Sequence, residues 1–144
     1  MGKYNTNQTE PRLFRGKLLP DGRYTIELTD HGMWNPTLKQ FVTGAIGTST
    51  NGNLQFTLNW KIVEGKSHVG LYLRDRWTLT ENTFADLLGK VEFLSGGVPT
   101  IDTDDDEMVM SILMSHIKIG TQIIAFCGAD ERGVPVVKNY VTKK

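Results

Sequence analysis

Between Asn53 and Val63 the chain reads NLQFTLNWKIV, and its apolar residues fall at every second position. Leu54, Phe56, Leu58, Trp60 and Ile62 alternate with Gln55, Thr57, Asn59 and Lys61. A period of two predicts a strand with one buried and one polar face. Asn51-Gly52, just upstream, supplies the positive-φ positions of a tight hairpin turn. Lys39–Thr48 (KQFVTGAIGT) is therefore the expected partner strand, with Gly44 and Gly47 marking a bulge or a close approach. After Glu64-Gly65-Lys66 the alternation resumes, with Val69, Leu71, Leu73, Trp77 and Leu79 on one side. His68, Tyr72, Arg74, Arg76 and Thr78 fall on the other. The pattern predicts a three-stranded meander whose outer face carries cations and a tyrosine.

The rest of the chain extends this unit in both directions. Residues 1–11 (MGKYNTNQTEP) are polar and aperiodic and predict a flexible N-terminus, leaving 12–144 as a single domain. Leu13 and Phe14 are candidates to tuck against the core. Pro20-Asp21-Gly22 predicts a turn before a short strand, Arg23–Thr29, with Tyr24, Ile26 and Leu28 on one face. A loop over Asp30–Thr37 holds Trp34, which either plugs one end of the core or contacts a ligand. At Leu79 the period changes. Thr80–Thr83 offer capping side chains, and Phe84, Leu87, Leu88, Val91 and Leu94 recur at helical spacing until Gly96-Gly97. A second helix is predicted over 107–116 with Met108, Val109, Ile112 and Leu113 as its apolar positions, capped by the acidic run at 102–107. Thr121–Phe126 and Val134–Val141, joined by Ala129–Gly133, predict two final strands. Strands, one or two helices, then strands again predict a mainly β protein, an OB-fold-like small antiparallel barrel.

Composition narrows the class without naming an activity. With 144 residues, 39% hydrophobic and 22% charged, the chain has the profile of one globular domain. No apolar run reaches the ~18 residues of a membrane span, and the N-terminus lacks a signal-peptide core. Cys127 is the one cysteine, so an intramolecular disulfide is excluded. The expectation is a cytoplasmic protein without membrane association. The formal net charge is zero, yet the charge is unevenly spread. Residues 1–23 hold five bases against two acids, as do residues 116–144, whereas 101–107 hold five acids and no base. Binding depends on the field of one face rather than on the total.

Signatures of catalysis are missing. His31, His68 and His116 lie far apart without metal-ligand spacing. Cys127 sits in the apolar run IIAFCG, the setting of an inert thiol. The acidic run lacks the central glycine of a calcium loop, and Leu113 stands where that loop needs glutamate. No phosphate-cradling loop, nucleophile elbow or zinc-protease helix occurs. The chain is accordingly expected to hold no catalytic residues, metal or cofactor. Binding of single-stranded nucleic acid needs cations along the backbone and aromatic faces for the bases. Lys61, Tyr72, Arg74 and Arg76 on the meander supply both, with Lys39 and Phe41 on the neighbouring strand. Lys138 and Tyr140 stand at i and i+2, hence on one face of the last strand, and Trp34 can reach over from its loop.

The runs LPDGRYTIEL, TSTNGNLQFTLNWKIVEGKSHVGLYLRDRWTLTENT, FLSGG and IGTQIIAFCGADERGVPVVKNYV follow one plan over residues 18–141. In that plan the chain resembles the phage-encoded single-stranded-DNA-binding proteins. The resemblance implies an OB-fold that coats single-stranded DNA during phage DNA replication or recombination, in the host cytoplasm, without catalytic residues. Replication or recombination proteins and a second copy of the chain are the further partners considered. Many such proteins end in an acidic tail that recruits partners, whereas this chain ends Val141-Thr142-Lys143-Lys144. FTLNWKIVEG and GLYLRD also resemble one hairpin of the avidin-type biotin-binding barrels, without their early GxW strand. A small-molecule-binding barrel lined by Trp60 and Trp77 is therefore the alternative. A phage accessory protein that binds a host protein through an exposed β edge is a third reading.

Overall fold

The computed structural model describes residues 5, 7, 19–65 and 67–144. The expected flexible N-terminus, apart from Asn5 and Asn7, and the tuck of Leu13 and Phe14 lie outside the described residues. The protein is mainly β with two helices. Its elements are β1 (Gly22–Asn35), β2 (Gln40–Thr43), β3 (Gly47–Thr48), β4 (Leu54–Glu64), β5 (Tyr72–Thr78), α1 (Phe84–Ser95), α2 (Asp106–Ser115), β6 (Gln122–Ala129) and β7 (Pro135–Lys143).

The strongest sequence pattern becomes the central strand. In β4 the alternating Phe56, Leu58, Trp60 and Ile62 have no exposed surface, while Thr57, Asn59 and Lys61 stay partly open. The turn into β4 is not the expected tight turn with Asn51 and Gly52 both at positive φ: Gly52 alone is left-handed, and the chain reverses over Thr50-Asn51. Gly52 takes φ 84° and donates its N–H to the Ser49 carbonyl at 2.9 Å. The expected single partner strand is instead two short ones. Gly44, at φ 76°, turns the chain between them, so that β3 pairs with β4 while β2 pairs with β1.

The first strand is longer than its apolar pattern, because β1 continues through the segment expected to be a loop. Polar Asp30 and His31 are absorbed by a bulge at Thr29, whose hydroxyl donates to the Asn59 carbonyl at 3.0 Å. Gly32 then meets both Thr57 of β4 and Thr43 of β2. A Cβ at Gly32 would lie 2.0 Å from the Val42 carbonyl oxygen, so only glycine fits there. Val69 departs from the expected inward row. It is 61% exposed, in a turn where His68 and Gly70 both adopt positive φ, and the alternation starts at Leu71.

α1 closes on a left-handed glycine, and α2 opens on an acidic side-chain cap. Thr83 and Thr80 exchange hydrogen bonds ahead of α1, and Gly96 closes it in the left-handed conformation at φ 84°. Asp105 caps α2 by accepting from the Glu107 and Met108 N–H groups at 3.0 and 3.4 Å. The buried face of α2 is Val109, Met110, Leu113 and Met114. Met108, expected on that face, is half-exposed.

Five strands hydrogen-bond in a ring: β1 to β4, β4 to β5, β5 to β7, β7 to β6 and β6 back to β1. All these pairings are antiparallel except β5–β7, which is parallel. β2 and β3 extend the sheet at its two ends. The inward residues of the ring, led by Trp60, Trp77 and Phe56, merge with Leu87 and Val91 of α1 and Met110 and Leu113 of α2 into one core. Among the described residues no helix is long and apolar enough to cross a membrane.

Candidate nucleic-acid interface

The alternation that buries Leu73, Asp75 and Trp77 turns Tyr72, Arg74 and Arg76 outward along β5. The β4–β5 register sets each opposite an outward residue of β4: Lys61 against Tyr72, Asn59 against Arg74, Thr57 against Arg76. The Lys61 ammonium lies 5.8 Å from the centre of the Tyr72 ring, which is 58% exposed. Lys61, Tyr72, Arg74 and Arg76 therefore form one surface, with two arginines that no acidic residue faces across the ladder.

A fourth cation, Arg132, joins this surface from the β6–β7 loop. Asp130 organises that loop: its Oδ1 accepts from the Arg132 and Val134 N–H groups at 2.8 and 2.9 Å. Its own N–H donates to the Val134 carbonyl. The Val134 N–H bond is the main reason the Asp130 carboxyl is held below its usual range, outweighing desolvation; the charges of Arg132 and Arg74 add to it. Arg132 and Arg74 thus lie within the field of one carboxylate, which sets the loop beside Arg74. Arg132 was not among the sequence candidates, although a cation at the tip of a five-residue hairpin loop, Ala129–Gly133, is a signal for it.

Trp34, Lys39 and Phe41 make a separate group. Trp34 faces Phe41 across the β1–β2 ladder, so Phe41 neighbours β1 and not β4 as expected. Trp34 is 56% exposed and plugs nothing. Lys39 stands in the connecting turn at φ 54°, where the Asn35 side chain accepts from the Thr37 and Leu38 N–H groups. This hairpin runs on beyond Gly32↔Thr57, where β1 leaves β4.

Lys138 and Tyr140 do not share a face. Opposite β6, β7 carries an extra residue between Val137 and Asn139, and again between Tyr140 and Thr142. The bulge at Lys138 resets the alternation, and Val137 and Tyr140 both pack against the core. Tyr140 donates its hydroxyl to Asp75 Oδ2, while exposed Lys138 pairs with Asp21 at 3.1 Å.

The remaining reactive side chains are scattered. Among the described residues no three His, Cys, Asp or Glu side chains are grouped to hold a metal ion. Cys127 has no exposed surface, and burial, helped by the Asp75 charge, pushes its thiol up to about 12. Compared with known proteins, the chain matches no family model and no curated protein.

Proposed function

We propose that the chain is an OB-fold protein that binds single-stranded DNA without catalysis and largely without sequence preference. Its setting is phage DNA replication or recombination in the host cytoplasm. The observation that carries this reading is the strand order of the ring. Running β1-β4-β5-β7-β6, with β5–β7 parallel and the helices inserted between β5 and β6, it supports reading the ring as a five-stranded Greek-key barrel. That fold grips oligonucleotides on the face of its second and third strands, and with the loops after its first and fourth. In this chain those places are the β4–β5 face, the β1–β4 connection and the β6–β7 loop.

The chemistry of the three places supports the same reading. Lys61, Arg74, Arg76 and Arg132 offer cations for phosphates, and Tyr72, Trp34 and Phe41 offer ring faces for bases. Every base has a π-face, so stacking of this kind does not select sequence. The resemblance to phage single-stranded-DNA-binding proteins points the same way. The small-molecule alternative is less well supported, because Trp60 and Trp77, its intended lining, are packed into the core without exposed surface.

A tryptophan-fluorescence titration with oligo-dT at about 50 and 200 mM salt tests the proposal. Quenching that saturates, and that weakens at the higher salt, is the expected result. No binding at the lower salt overturns it.

A further inference from the structure

The ring is thinnest between β5 and β7. That seam has a single bridged pair, Arg74↔Val136, whereas every other seam runs along most of a strand. At this seam β5 turns a carboxylate inward. Asp75 is 6% exposed, between the buried Leu73 and Trp77. Its Oδ2 accepts from the Tyr140 hydroxyl of β7 and from Trp77 Nε1 at 3.2 Å. Its Oδ1 lies 3.9 Å from the Lys90 ammonium of α1. Lys90 in turn sits over the Trp77 and Tyr140 rings, 5.6 and 5.7 Å from their centres. One side chain thus joins β5, β7 and α1 where backbone pairing barely does.

Packing alone does not call for an acid at this position. An apolar residue would simply continue the inward row, and burying a carboxylate is unfavourable without hydrogen-bonded partners. The tyrosine donor also keeps its proton, since burial and then the Asp75 charge hold the phenol well above its usual range.

We propose that Asp75 is a positioning residue. With Tyr140 and Lys90 it forms a polar clasp that closes the ring at β5–β7 and fixes Arg74 and Arg76 relative to Arg132. The link is short. Asp75 stands between the two arginines, so a slip of β5 against β7 moves carboxylate and guanidinium groups together. Arg74 is itself the bridged residue, and its partner Val136 follows the loop that Asp130 holds. The effect on binding rests on the single-strand reading above; the clasp itself does not.

Two variants, Tyr140→Phe and Asp75→Asn, test it by amide hydrogen exchange and oligo-dT titration. Tyr140→Phe keeps the ring that packs against Phe93 and Trp60, at 5.5 and 6.2 Å, so it remains folded even where Asp75→Asn does not. A cleft of about 470 Å³ between α1 and β7, walled in part by Asp75, Lys90 and Tyr140, gives water a route to the opened seam. Exchange of β5 and β7 amides should rise about tenfold or more relative to the β1–β4 ladder, the scale set by a lost hydrogen bond to a charged group. Affinity for oligo-dT should fall several-fold with its salt slope unchanged, because every cation is still present. Unchanged protection in Tyr140→Phe overturns the clasp. Lost protection with unchanged affinity overturns the positioning role. Wild-type protein that ignores oligo-dT overturns the binding reading, and the positioning role with it, while the exchange result still decides the clasp.

Discussion

Replacing Arg74 and Arg76 together by alanine isolates the electrostatic part of the proposed single-strand binding. Both side chains are exposed, and their ladder partners, Asn59 and Thr57, are uncharged. Asp130, the acid that the Arg74 charge reaches, is partly exposed and keeps its Arg132 and Val134 N–H donors, so no buried acid is left behind among the described residues. Surface substitutions of this kind change stability by about 0.5 kcal/mol or less. On a single strand each phosphate contact contributes roughly 0.7 to the slope of log K against log salt, so losing two should flatten the slope by about 1.4. Over a fourfold rise in salt, from about 50 to 200 mM, the double variant should lose about sevenfold less affinity than wild type. The assay is oligo-dT titration at four or more salt concentrations, with circular dichroism to confirm the fold. A folded double variant with the wild-type slope would refute the assignment of phosphate contacts to this face, however its absolute affinity changed.

Three further outcomes follow from burial and conformation. Trp60→Ala should cost about 3–5 kcal/mol in urea unfolding, whereas Trp34→Ala should leave stability within about 0.5 kcal/mol yet weaken oligo-dT binding by about 1–3 kcal/mol if a base stacks there. Acrylamide should quench Trp34 and spare Trp60, and the reverse order would overturn the facing of β4. Gly32→Ala forces a side chain into φ 156° and onto the Val42 carbonyl, and should cost about 1–3 kcal/mol with the β1–β2 hairpin displaced, as seen in amide chemical shifts. Native Cys127 holds its proton to about pH 12 while the unfolded thiol ionises from near 9, so the unfolded chain binds fewer protons in that window and stability falls as pH rises. Wild type should lose up to about 1.4 kcal/mol per pH unit there relative to Cys127→Ala, and parallel pH profiles would refute the buried thiol.

Where one element carries its own signal, the sequence was legible. The period-two rows of β4 and β5, the glycine that ends α1 and the acidic cap of α2 each express a local preference, and each reappears in the fold. So did the surface of Lys61, Tyr72, Arg74 and Arg76, because facing along a regular strand follows from counting by two. Relations between strands were not legible. The length of β1 depends on a bulge at Thr29 and on the room that Gly32 makes for Val42, neither of which a row of polar residues announces. The division of residues 39–48 between two partners depends in the same way on where β1 and β4 part.

The bulge at Lys138 joins the failed expectation to the clasp. Strict alternation would place Val137 and Asn139 on one face, with Lys138 and Tyr140 on the other. One extra residue instead turns both Val137 and Tyr140 inward and leaves Asn139 exposed. A polar amide is thereby kept out of the core, and a phenol is delivered to the carboxylate of Asp75. The same step leaves Lys138 outside, where Asp21 holds it. A residue that sequence pattern assigns to a binding face thus serves the ring that carries the proposed face. The outward arginines and the inward acid of β5 are, by this account, two sides of one device.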